Sequence, residues 1–428
     1  MQCRERLRKS NVSIEAIQIF YWNEHRECAY YEERPSRRNP FQWENSFAMS
    51  SSKCVRVGIA LIVAGMAAAQ TTTTPPPDPA PAAASVWSAG PIDFSGLVDG
   101  YYSLNFNHPA SKNNNLRNFD AKANQFSLNM AKLTMEHTAD PVGFKFELAG
   151  GRAMDIFHAT EPAGLEVYKH IFQAYVSVKP AALKGLQIDF GKFNTSAGAE
   201  LTETHLNWNY SRSFLFANGP YYHTGLRATA PLHKNFSAGF QLVNGWNNVE
   251  DNNSAKTVGL TAGLTTSKFN WYNTYYVGNE KTDTFGGVKI EAPGVRHFWD
   301  TVINFNPTSQ FNALFNFDYG VDKDPLNGDK KFYGYSVAAR VMPNEKFAFS
   351  PRFDWYNDSD GFITGQVQKL KEFTITADYK MVEGFLTRFE YRRDMSNEPY
   401  FDRGNELASA KNMNTLLVGF VVYFGPKR

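Results

Sequence analysis

Between Ile92 and Phe424, apolar and polar residues alternate with a period of two, in segments about ten residues long. In Phe311 to Tyr319 one side carries Phe311, Ala313, Phe315, Phe317 and Tyr319, against Asn312, Asn316 and Asp318 on the other. In Asn414 to Phe424, Leu416, Val418, Phe420, Val422 and Phe424 share one face. Successive side chains of a strand point to opposite sides, so each segment offers one face to lipid and one to water. The same alternation marks Ile92 to Phe106, Gly143 to Gly150, Leu186 to Phe190, Tyr222 to Ala230, Phe236 to Asn244, Lys331 to Val341, Phe347 to Trp355 and Phe373 to Tyr379. About ten residues is what a tilted strand needs to cross a bilayer, whereas a helix needs about 20 apolar residues in a row. After Gln70 the longest apolar run, Leu416 to Gly425, stops well short of that. Two segments are ambiguous: Gln125 to His137 changes phase near Ala131, as a bulge would, and Phe269 to Gly278 has aromatics on both faces.

The connections alternate too. TADPVG, KPAALKG, PLHKN, TTSK, NPTSQ, MPNEK and MVEG are short; 107–124, 152–168, 194–221, 245–256, 278–294, 321–330, 357–368 and 395–413 are long and polar. Seven short turns and eight long loops join sixteen strands and leave both chain ends on one side. The predicted fold is all-β: a transmembrane antiparallel up-and-down β-barrel of about 16 strands, with 14–18 compatible with the pattern, short periplasmic turns and long external loops. A soluble sandwich or propeller is the competing reading. It is disfavoured by apolar faces on nearly every strand without a partner sheet. Aromatics such as Tyr101, Trp246, Tyr276, Trp355 and Tyr423 also fall at strand ends, where interfacial girdles lie, and closure leaves no edge unpaired in lipid.

Ahead of the strands, Met49 opens MSSSKCVRVGIALIVAGMAAAQ: Lys53 and Arg56 precede an apolar core from Val57, and Ala67-Ala68-Ala69 before Gln70 is a small-residue cleavage site. Residues 49–69 therefore read as a secretory signal peptide, and charged, irregular residues 1–48 as a mis-assigned start or an extension. Residues 70–90 are a Thr/Pro/Ala-rich tail that cannot bury a core, and 91–428 the barrel. The first 69 residues hold 10 of 44 Lys+Arg and 7 of 42 Asp+Glu, which leaves 34 against 35 and gives no basic surface for nucleic acid. They also hold Cys3, Cys28 and Cys54, so the exported part has neither a disulfide nor a lipid-attachment cysteine. Its eight histidines are scattered, without metal, nucleophile-elbow or phosphate-loop spacing, so no catalytic, cofactor or metal site is expected. VEDNN, DKDPLNGD and NDSDG match calcium loops in composition only.

Several stretches resemble the OmpL-like β-barrel porin family of Gram-negative bacteria. They are NQFSLNMAKLTMEH with DPVGFKFELAGG, EVYKHIFQAYVSVKP, LQIDFGKFNTSAGAE, and NWNYSRSFLFANGPYYHTGLRATAP with LVNGWNNVEDNN. The resemblance spans about residues 124 to 253 and implies an outer-membrane porin passing small hydrophilic solutes or ions without cofactor. A substrate-specific channel and a plugged structural or surface-binding barrel are the alternatives. The partners implied are outer-membrane lipids and lipopolysaccharide, the β-barrel assembly machinery, small hydrophilic solutes and a homotrimer. One departure concerns assembly: many such barrels end on an aromatic residue, whereas here GPKR follows Phe424.

By the same resemblance, the longest loop, 194–221, would fold inward and narrow the pore, carrying Glu200, Glu203, His205 and Arg212; it would otherwise cover the mouth. The strand phase independently turns Arg340, Arg352, Arg388 and Arg392 inward. A midplane arginine facing lipid costs roughly 2–4 kcal/mol. These arginines then either face an acidic loop across the pore, setting a transverse field, or are neutralised by Asp354 and Glu390 nearby. Arg227 is a further inward candidate. The first alternative predicts that replacing Arg340 and Arg352 with Ala reduces anion preference.

Overall fold

The structure is a computed structural model of the 428-residue chain and describes residues 87–161, 164, 166–285, 288–289, 294–324 and 328–426. The expected start-site extension, the signal peptide and the tail up to residue 86 lie outside the described residues.

Sixteen antiparallel strands follow one another round a single ring: β1 Ile92–Asn105, β2 Gln125–His137, β3 Val142–Gly150, β4 Ile171–Val178, β5 Gln187–Asn194, β6 Tyr222–His233, β7 Phe236–Val243 and β8 Thr257–Thr265. The second half is β9 Phe269–Gly278, β10 Arg296–Phe305, β11 Phe311–Asp322, β12 Lys330–Val341, β13 Phe347–Asp358, β14 Gln368–Val382, β15 Phe385–Ser396 and β16 Asn412–Phe424. Each pairs with its sequence neighbours. The ring closes where β16 meets β1, with Leu417 opposite Ser103 and Phe424 opposite Gly96, so no edge is left for lipid to solvate. The two-residue strand Ser88–Ala89 adds to the start of β1.

The expected boundaries shift where side chains break the alternation. β14 is far longer than Phe373 to Tyr379, because the inward phase continues through Glu372, Leu370 and Gln368 at one end and the ladder runs on through Lys380 to Val382 at the other. β11 and β12 pair up to Asp322 and Lys330, which shortens that loop to 323–329. The phase change in β2 is a bulge at Asn129: Asp99 sits opposite Met130 while Gly100 sits opposite Leu128. It keeps Phe126 and Leu128 outside before the bulge and Leu133 and Met135 outside after it.

Exposed apolar side chains, among them Phe126, Phe190, Leu260, Phe353 and Phe389, make the outer face. Towards the loop end an aromatic row runs across neighbouring strands. Trp299 meets Phe317 at 5.7 Å, Tyr319 meets Tyr333 at 6.2 Å, and Trp355 meets Tyr333 at 5.5 Å and Tyr335 at 5.8 Å. Of the aromatics expected in girdles, only Trp355 belongs to this row. Tyr101 and Tyr276 are buried on the inner side, Trp246 packs on Phe298, and Tyr423 stacks on His205, because loops enter the lumen and supply apolar partners there.

Two glycines face each other across β5 and β6. Gly191 (φ 136°) and Gly225 (φ 156°) are register partners, and a Cβ on Gly191 would meet the Ala174 carbonyl oxygen and lie 2.8 Å from Tyr175 Cα. Gly191→Ala is expected to destabilise the barrel by about 1–3 kcal/mol, from left-handed backbone strain and overpacking together. The midpoint of urea unfolding in liposomes measures it.

Candidate functional site

Loop 195–221 leaves β5, crosses the lumen and returns to β6. Within the ring those strands stand opposite β13 and β14, and the loop's bonds reach that far wall. It contains a 3-10 turn, Thr204–Leu206, and a short helix, Phe214–Asn218, whose start is capped by Ser213 accepting from Phe216 N–H. A backbone passing through a lumen must find partners for its N–H and C=O groups, and inward side chains of β1 and β13–β15 supply them. Arg388 donates to the carbonyls of Thr204, Asn207 and Asn209 while its Nε holds Asp378 at 2.8 Å. Glu390 accepts Tyr210 N–H at 2.7 Å and Ser211 N–H at 3.0 Å, and Asp354 accepts Phe214 N–H at 3.0 Å. Arg352 donates to the Ser211 carbonyl at 2.8 Å, and Arg392 to that of Arg212. On β1, Asp99 accepts the Thr204 and Tyr210 hydroxyls.

Apolar contacts seal the same arrangement. Phe214 and Leu215 pack among Tyr276, Phe298, Phe332, Tyr356 and Leu370, all inward residues near the loop end of β9–β14. Loop 106–124 also enters: Arg117 pairs with Asp394 and Asp120, and Phe119 lies under the Arg212 guanidinium, 4.0 Å from ring centre to Cζ.

Seven of the ten candidates join this one network. Glu200 pairs with Arg352 at 3.0 Å; Arg212 donates to the carbonyls of Leu201, Thr202 and Tyr210; Asp354, Arg388, Glu390 and Arg392 bond the loop as described. The wall arginines are therefore sunk beneath the loop: Arg352, Arg388 and Arg392 are 3 %, 0 % and 1 % exposed. Their main carboxylates are residues that sequence reading did not single out. Glu372 lies 2.9 Å from Arg352 and 3.2 Å from Arg392, Asp394 lies 2.8 Å from Arg392, and Asp378 holds Arg388, whereas Asp354 is 3.7 Å from Arg352. The signal was available in the alternation of Glu372, Thr374, Thr376 and Asp378 along β14.

The other three lie at its margins, Arg340 touching the network through the Asp378 it shares with Arg388. Glu203 pairs with Lys132, itself 2.8 Å from Glu147, in a cavity of about 820 Å³ at the turn end that also holds His205 and Tyr423. Arg340 holds Asp378 at 2.9 Å beside a cavity of about 430 Å³ at the same end. Arg227 holds Asp189 at 2.8 Å and faces a cavity of about 620 Å³ between the loop and β5–β10. Gln187, Thr229, Ser237, Thr261, Asn273 and Thr274 line that cavity together with Ser196 and Gly198 of the loop, so its wall is rich in uncharged hydroxyls and amides. No grouping of three or more His, Cys, Asp or Glu side chains suited to a metal occurs among the described residues.

The described residues of loop 151–170 pack Phe157 against Phe119 and Phe216 of the lumen loops and then fold over the rim of β5. Lys192 shares the outward phase of Phe190 but is buried there, with its Nζ 2.6 Å from His158 Nε2 and 4.3 Å from the centre of the Tyr222 ring. Burial, then the neighbouring Lys192 charge, with Lys169 and His170 further off, hold His158 down to about 3. A histidine whose folded value is depressed supports docking fully above its unfolded value near 6.5. That support fades as pH falls through 6.5 towards about 3. Limited proteolysis of loop 151–170 should be faster at about pH 5 than at about pH 8, and His158→Gln should flatten that difference.

A closed sixteen-stranded barrel with a lipid-facing outer surface and a loop bonded across its lumen defines the porin class of outer-membrane proteins. The family model for "Putative beta-barrel porin-2, OmpL-like" matches residues 91–424, and the chain belongs to that family, a family of the bacterial outer membrane. No curated protein sequence matches it. Among solved structures, OmpT of Vibrio cholerae is similar at TM-score 0.52 and 12 % identity, over 78 % of this chain and 97 % of that one. The channel DcaP of Acinetobacter baumannii has TM-score 0.52 and 10 % identity, over 80 % and 100 %. An anion-selective porin from Comamonas acidovorans has TM-score 0.51 and 12 % identity, over 78 % and 99 %, and OmpT is also described in a trimer form. At these identities the likeness is one of fold.

Proposed function

We propose that the protein lets small hydrophilic solutes or ions diffuse passively across the outer membrane. The observation that carries this reading is the asymmetric placement of loop 195–221. It is bonded to the β13–β15 wall, and the hydroxyl- and amide-lined cavity of about 620 Å³ lies on the other side of the loop. Reconstituted in planar bilayers, the folded protein should give discrete ohmic conductance steps. A folded but silent barrel would instead favour a plugged, surface-binding role, the reading supported by the entry of loop 106–124 into the same mouth.

The accompanying assignments belong to this proposal. Residues 49–69 direct export, Tyr423 or Phe424 presents the aromatic signal to the assembly machinery, and the external loops meet lipopolysaccharide. Association as a homotrimer, by likeness to the trimer form of OmpT, is checked by electrophoretic mobility before and after heating.

A further inference from the structure

Carboxylates face one another across the inner wall in two groups, Asp300 opposite Asp318 and Asp354 opposite Glu372 opposite Asp394, with the uncharged Gly334 and Ser336 of β12 between them. Arg352, Arg392 and Arg117 pair with Glu372 and Asp394 at one end. At the other end no lysine or arginine among the described residues pairs with Asp300 or Asp318, although both are buried, at 1 % and 4 % exposure. Asn316 bridges them, its Nδ2 donating to Asp300 Oδ1 at 2.7 Å and Asp318 Oδ1 at 3.1 Å, while Asp300 Oδ2 accepts no hydrogen bond.

A second unpartnered group lies two strands from Asp318, across Gly334. The Tyr356 hydroxyl is buried and has no hydrogen-bond partner. The ring is able to lie over Gly334, the register partner of Asp318, because a Cβ there would come within 2.7 Å of the ring. Two adjacent carboxylates cannot both be ionised in a dry site without a compensating charge. A cation with two positive charges neutralises both and takes the unpartnered oxygens as ligands.

We propose that Asp300 and Asp318, with the Tyr356 hydroxyl, form a site for a hard divalent cation of the Ca²⁺ class, with water completing its oxygen shell. The ion would enter from the cavity beside β5–β10, whose lining includes Val302 and Gly198. It also fixes the near end of the crossing loop. Ala199 N–H donates to Asn316 Oδ1 at 3.2 Å, and Asn316 in turn bonds both carboxylates, so the loop is held by the ion site at one wall and by arginines at the other.

The test is equilibrium dialysis of the EDTA-stripped, refolded full barrel against Ca²⁺ at neutral pH, with folding verified by heat-modifiable mobility. Wild type and Asp360→Asn, a loop carboxylate outside the site, should each bind one Ca²⁺ saturably. Asp300→Asn and Asp318→Asn should lose that site or weaken it at least tenfold, and Tyr356→Phe, which removes no charge, should weaken it several-fold. Equal Ca²⁺ uptake by wild type and the three site variants overturns the proposal. So does an absence of Ca²⁺ binding by wild type, which leaves a proton shared between the carboxyls as the compensating charge.

Discussion

Arg388→Ala is expected to free the crossing loop and raise single-channel conductance several-fold, with noisier open levels, while the barrel stays folded. Arg388 bonds three successive stretches of the loop through the carbonyls of Thr204, Asn207 and Asn209, and its loss leaves those carbonyls without their donor. It also leaves Asp378 with Arg340 alone, the latter bonded 2.9 Å away. Removing one partner of a buried ion pair costs about 3–5 kcal/mol, and the cost falls on the loop, since the strand ladder of β14, β15 and β16 runs through backbone groups. Arg388→Lys keeps the charge but not the fork of donors, so it should sit between wild type and Ala. Conductance in planar bilayers at fixed salt reads the effect. An unchanged step size in a folded Arg388→Ala barrel would show that the loop does not limit the pore.

The barrel was legible in the sequence because lipid imposes one rule on every strand. An outward side chain has no partner to choose, so Val418, Phe420 and Val422, or Phe315 and Phe317, declare their face by alternation alone. The bulge at Asn129 was legible for the same reason, since it flips the phase. The lumen follows another logic. Inward residues are selected by what they touch, and their partners come from distant parts of the chain: Asp99 with Tyr210, Arg117 with Asp394, Arg388 with Asn207. The arginines could be placed inside by phase, but their partners depend on the register between strands and on the path of two loops. Glu390 shows the consequence. By proximity in sequence it was a neutralising partner for arginine, whereas in the fold it receives two loop N–H groups, and Glu372 and Asp394 hold Arg392. The inward aromatics were misjudged for the same reason, because nothing in the alternation says that Phe214 and Leu215 arrive to cover Tyr276 and Phe332.

Ion preference should therefore move with Arg227 and not with Arg352, in contrast to the expectation that follows from an acidic loop facing a basic wall. Arg352 is enclosed by Glu200, Glu372 and the Ser211 carbonyl, out of contact with permeating ions. Arg352→Ala should cost about 3–5 kcal/mol by leaving buried carboxylates unpaired, and should lower the unfolding midpoint. Its reversal potential under a salt gradient should stay close to that of wild type. Arg227 is partly exposed to the cavity, and its substitution by Ala turns the neutral pair with Asp189 into a single negative charge. A unit charge about 7 Å from an ion in water is worth about 0.6 kcal/mol, which is about one RT, or roughly threefold in the relative occupancy of cations. Arg227→Ala should shift the reversal potential towards cations by about that ratio, and Asp189→Asn towards anions. The shift should shrink at high salt, since screening shortens the reach of a charge that faces water. Equal shifts from Arg352→Ala and Arg227→Ala would place the permeating ions along the β13–β15 wall instead, beneath the loop that covers it.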